Sequence, residues 1–127
     1  MSHTSRLLVI IATSAIAGTA ATAHPKLVTA VPAPSASVVA PTSIELNFNE
    51  AVVAQFSGVL VQMTDMPSMK MSAPMKIEVA PAAVSSDGKQ LTVKLVKPMT
   101  KGAYKVVWHA VAADTHRVAG SYSFTVK

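Results

Sequence analysis

The chain has 127 residues, half of them hydrophobic, with 11 Lys and Arg against 6 Asp and Glu, and it contains no cysteine. The missing thiols exclude disulfides, thiolate metal ligands and a lipid-carrying cysteine, so a stable fold has to rest on its core. The basic residues are spread along the chain without a patch interleaved with aromatics, which argues against nucleic-acid binding.

At the N-terminus, Arg6 precedes an apolar run from Leu7 to Ala17, and Ala21-Thr22-Ala23 has the small-x-small form that signal peptidase cuts. Residues 1–23 are therefore read as a cleaved secretory leader, and residues 24–127 as one exported domain that begins at His24. The apolar run is shorter than the roughly 20 residues a spanning helix needs, so the protein is not expected to cross a membrane.

Beyond the leader the chain divides into short extended segments separated by turn residues. Lys26 to Val31 is a first strand, stopped by Pro32-Ala33-Pro34-Ser35. Ser43 to Phe48 alternates, with Ile44, Leu46 and Phe48 on one side and Glu45 and Asn47 on the other. Ser57 to Met63 is apolar and β-branched, and Met75 to Ala80 is a weaker candidate. Asp87-Gly88 marks a turn before Leu91, Val93 and Leu95, which alternate with Thr92 and Lys94. Tyr104, Val106, Trp108 and Ala110 share one side of the next strand, and Tyr122, Phe124 and Val126 one side of the last. About seven strands, several prolines and no helical period outside the leader predict an all-β fold, a single Greek-key β-sandwich.

One interval fits no strand. From Met63 to Met75 five methionines, Met63, Met66, Met69, Met71 and Met75, stand among Asp, Ser, Lys and Pro, a composition that sustains neither a helix nor a ladder and predicts a surface loop. Methionine often fills gaps in a core. Exposed thioethers in an exported chain suit another purpose, since they are soft ligands for Cu(I) that need no deprotonation. Spacing alone does not select which of them bind.

A second group of donors lies elsewhere. Cleavage before His24 would free an α-amino group with a pKa of about 8, and that amine and the ring Nδ1 of one residue can chelate one metal ion. Pro25 has no backbone N–H, so the next peptide nitrogen cannot join, and the best further donors are Glu50, Asp114 and His116. Asp114 and His116 are two residues apart, and Thr115 between them is β-branched and prefers extended backbone, which would keep both side chains on one face. Two imidazoles, an amine and a carboxylate form a nitrogen and oxygen set that favours Cu(II). His109 falls opposite Trp108 in the alternation and is read as a structural or surface residue.

These features together resemble the CopC family of periplasmic copper-resistance proteins. The resemblance runs through His24-Pro25-Lys26-Leu27, Leu46-Asn47-Phe48-Asn49-Glu50, the methionine interval, Gly102-Ala103-Tyr104, Val107-Trp108, Asp114-Thr115-His116 and Gly120-Ser121-Tyr122-Ser123-Phe124. It implies a cupredoxin-like, Ig-like sandwich that takes Cu(II) at His24, Glu50, Asp114 and His116, and Cu(I) at Met63, Met66, Met69, Met71 and Met75. Two departures stand out: the methionine interval has no histidine, which family members with such a loop tend to carry, and Thr115 stands where Gly is common. The expected function is a periplasmic copper carrier and not an enzyme, passing copper to an inner-membrane permease or another periplasmic copper protein. The alternatives are a histidine-brace copper oxygenase, suggested by an N-terminal His with a second His, and a metal-free Ig-like interaction module.

Overall fold

The computed structural model describes residues 24–127, and the leader assigned to residues 1–23 lies outside the described residues. Two sheets pack face to face. One holds four strands, β1 (Leu27–Val31), β3 (Ser43–Phe48), β7 (Gln90–Lys94) and β6 (Ala83–Val84), in the order β1-β3-β7-β6. The other holds β2 (Ser37–Val38), β9 (Arg117–Val126), β8 (Gly102–Val111), β4 (Gly58–Asp65) and β5 (Met75–Ile77), in the order β2-β9-β8-β4-β5. The chain changes sheet between β1 and β2, β2 and β3, β3 and β4, β5 and β6, and β7 and β8, so the connections cross the sandwich as in Greek-key folds.

The alternation expected from the sequence is what fills the interior. In β3, Ile44, Leu46 and Phe48 are buried while their neighbours are not. They meet Tyr104, Val106, Trp108 and Ala110 of β8 and Tyr122, Phe124 and Val126 of β9 in one core. Trp108 presents its edge to Phe48 at 5.4 Å between ring centroids, and Tyr104 stacks on Phe124 at 5.6 Å, contacts worth about 1 kcal/mol each beyond the area they bury.

Three boundaries depart from the sequence reading. The segment expected to run from Met75 to Ala80 ends as a strand at Ile77, because the chain then leaves its sheet: Val79 bridges Leu95, and the Ala80 N–H donates to the Lys94 carbonyl on the opposite sheet. The last strand starts four residues earlier than Ser121. Its extra residues pair with the end of β8, and Gly120 opposite Trp108 leaves room for the indole, since a Cβ there would fall 2.6 Å from Trp108 Cζ2. Glycine inside a strand can mark such a close approach as well as a break. Finally, Met63 does not open a loop. It lies within β4, 2% exposed, in the core.

Candidate metal centres

The hairpin between β8 and β9 carries the first group of donors. Its five-residue connection is closed by the Ala112 N–H donating to the His116 carbonyl (3.0 Å) and the Thr115 N–H donating to the Ala112 carbonyl (3.0 Å). Thr115 sits at φ 73°. The expectation of extended backbone across Asp114-Thr115-His116 is therefore corrected, because a hairpin this tight needs a residue in the left-handed region, which a β-branched side chain enters only at a steric cost. The pair nevertheless converges, by a different route. Asp114 accepts the backbone N–H of His116 at 3.1 Å and stands 2.9 Å from its ring Nδ1. These two bonds, the backbone one first, hold the Asp114 carboxyl below the usual carboxylate range. With the proton on Nδ1 the ring donates to Asp114 and keeps the Nε2 lone pair for a metal.

His24 reaches the same place from the other end of the chain. Pro25 is buried, the Lys26 N–H donates to Asn49 Oδ1 at 2.6 Å, and the Asn49 N–H donates to the Lys26 carbonyl at 3.1 Å. This reciprocal clamp ties the first residues of the domain to the end of β3. It leaves the exposed His24 ring centred 4.8 Å from that of His116, tilted by 46°. The structure thus sets His116 against His24 on one side and Asp114 on the other, as two pairs that share one imidazole.

Glu50 is near this group without joining it. It follows the clamp residue Asn49 and precedes Val52, which bridges Ala112 at the base of the hairpin. Among the described residues, no three or more His, Asp or Glu side chains stand close enough together to hold a metal ion between them. His109 lies on the outer face of β8 against Gly58, where a Cβ would come 2.8 Å from its Cε1.

The methionines gather at the opposite end of β8. Met63 is aligned with Met75 across β4 and β5 and with Tyr104 across β4 and β8, and directly opposed residues share a face of the sheet. Met66 and Met69 close a tight turn in which the Met69 N–H donates to the Met66 carbonyl at 3.3 Å. Met66 and Met71 pack partly against the core, while Met69 and Met75 are 63% and 51% exposed. A cleft of about 360 Å³ opens here, walled by Met63, Met66, Met75 and also Met99. Sequence reasoning passed over Met99, a lone methionine between Pro98 and Thr100 with no local pattern to set it apart. From Tyr104 to the end of β8 at Val111 the strand rises about 3.3 Å per residue, which separates the two groups by roughly 23 Å.

Comparison with known proteins places these features in context. A sequence model described as the CopC domain matches residues 27–127. The chain is 45% identical over 119 residues to copper resistance protein C of Xanthomonas campestris pv. juglandis, covering 94% of this chain and 92% of that one. It is 48% identical over 109 residues to copper resistance protein C of Pseudomonas syringae pv. tomato, covering 84% and 83%. The crystal structure of PcoC, a methionine-rich copper resistance protein from Escherichia coli, superposes with a TM-score of 0.74 at 40% identity, covering 83% of this chain and all of that one. Among the described residues, no helix is long and apolar enough to cross a membrane.

Proposed function

The chain belongs to the CopC family of copper resistance proteins, and from that premise we propose that it is a periplasmic copper carrier with a Cu(II) centre at one end of the sandwich and a Cu(I) centre at the other. The leader, residues 1–23, would be removed on export, and the domain would work as residues 24–127. At the first centre the His24 amine and Nδ1 chelate Cu(II), and His116 supplies Nε2. Asp114 acts on the second imidazole by holding Nδ1, which fixes the orientation of the ring, and Glu50 closes on the ion from the segment bonded to the hairpin. The observation that carries this reading is the 4.8 Å approach of the His24 and His116 rings, made by residues at opposite ends of the domain and held by the Asn49 clamp on one side and Asp114 on the other. Copper at the second centre is held by thioethers drawn from Met63, Met66, Met69, Met71 and Met75, which favour the softer Cu(I).

A carrier fits the surface better than an oxygenase does. Among the described residues, Phe56 is the single aromatic side chain that is largely exposed, too little for a platform on which a polysaccharide would stack. The protein hands its copper on, either to an inner-membrane permease or to another periplasmic copper protein.

The decisive experiment compares the protein starting at His24 with a version that carries one extra N-terminal glycine. The added residue converts the His24 nitrogen to a peptide amide, which is a poor ligand unless deprotonated. Cu(II) affinity, titrated against a competing chelator, should fall at least tenfold, about 1.4 kcal/mol, with a changed EPR spectrum and unchanged Cu(I) binding. Equal Cu(II) affinities would remove the terminal amine from the site and the proposal with it.

A further inference from the structure

The methionine interval has no histidine, so a Cu(I) site there has to be built from sulfur alone, and the fold decides which sulfurs share one space. Four do. Met63 comes from β4, Met66 from the turn that follows it, Met75 from β5, and Met99 from the connection between β7 and β8, and all four wall the same cleft. Met69 and Met71 do not line it.

We infer that Met99 is a Cu(I) ligand, completing with Met63, Met66 and Met75 an all-thioether site in the cleft between the edge of β4 and β5 and the segment from Lys97 to Thr100. The inference rests on the reading that the methionine end of the domain binds Cu(I), and it changes the membership of that site.

The bland role for a buried methionine, and Met99 is 7% exposed, is to fill an irregular gap. A gap filler closes the space beside it. Here Met99 instead forms one wall of an open cleft of about 360 Å³, many times the roughly 30 Å³ that a water molecule occupies in the liquid. The wall is also held in place: the Tyr104 hydroxyl donates to the Thr100 carbonyl at 2.6 Å, fixing the residue next to Met99 to the strand that pairs with Met63. Such an anchored position limits the rearrangement needed when the ion arrives. The charged side chains lining the cleft are Lys76, Glu78 and Lys97. Their sum is positive, so attraction to a cation has to come from the sulfurs.

The test starts with Met99→Leu, a swap that nearly conserves volume and is well tolerated in cores. Cu(I) affinity is measured by competition with a Cu(I) chelator, and the number of sulfur neighbours by X-ray absorption, with Cu(II) affinity at the far end as the control for folding. Affinity should drop at least tenfold and the sulfur count by one, while Cu(II) affinity stays the same. Met66→Leu is run in parallel. If it weakens Cu(I) binding and Met99→Leu changes neither affinity nor sulfur count, Met99 is only packing and the inference fails while the methionine site stands. If neither substitution matters, both readings fail. A measurement on the unsubstituted protein covers the case in which Met99→Leu misfolds: the methionine methyl resonances are followed during Cu(I) addition, and those of Met63, Met66, Met75 and Met99 should shift together. A stationary Met99 methyl overturns the assignment.

Discussion

Single hydrogen bonds at the surface set the geometry of the nitrogen-rich centre. The Asn49 side chain does for the N-terminus what Asp114 does for His116: each takes a backbone N–H and thereby aims an imidazole. Removing the Asn49 side chain leaves its own N–H bond to the Lys26 carbonyl in place, so the strand pairing should survive while the terminus swings more freely. Asn49→Ala is expected to lower Cu(II) affinity roughly fivefold, close to the ~1 kcal/mol that one such bond contributes, with no change in Cu(I) affinity. Isothermal titration of both ions against competing chelators checks this. An unaltered Cu(II) affinity would mean that buried Pro25 and the β1 pairing alone position His24.

Among the elements, β8 and β9 form the frame. Ten register pairs run from Gly102 and Val126 to Val111 and Arg117 without a shift, and the hairpin that joins them presents Asp114 and His116. Gly120 lets this pairing continue past the indole of Trp108, since any side chain there meets the ring at less than van der Waals distance. Gly120→Val should push Trp108 out of its packing against Phe48 and cost about 1 to 3 kcal/mol, the usual penalty for overpacking. The loss would appear as a lower denaturant midpoint with a changed Trp fluorescence maximum. A midpoint equal to that of the unmodified protein would show that the indole has room to yield.

For the molecule as a whole, the two centres are joined only through the sandwich. Both groups take their positions from β8, yet they share no residue and lie roughly 23 Å apart along it, well beyond the Debye length of about 8 Å at physiological salt. Substitutions at sites this far apart should act additively. Replacing Met63, Met66, Met69 and Met71 together by Leu is therefore expected to abolish Cu(I) binding and leave Cu(II) affinity within about twofold. The readouts are chelator competition and the Cu(II) EPR spectrum. A large change in Cu(II) affinity without loss of folding would show that the ends communicate.

By itself the sequence determined the sandwich, because alternation with a period of two is a local property. Ile44, Leu46 and Phe48, or Tyr104, Val106 and Trp108, announce their buried face wherever the strand ends up. It also determined the donor chemistry: thioethers in one interval, imidazoles and carboxylates in others, and no thiol. Which donors meet was decided by tertiary structure alone. His24 faces His116 because strand register and the Asn49 clamp carry the N-terminus to the far hairpin, and neither is encoded near either histidine. Thr115 adopts the left-handed backbone that its own preference resists, because the hairpin between β8 and β9 has to close in five residues. Met63 enters the core, although it begins a methionine-rich run, because β4 continues past it, and Met99 comes to face Met63 and Met75 because the chain crosses from one sheet to the other between β7 and β8. Such convergence depends on contacts between residues far apart in sequence, which no local pattern records.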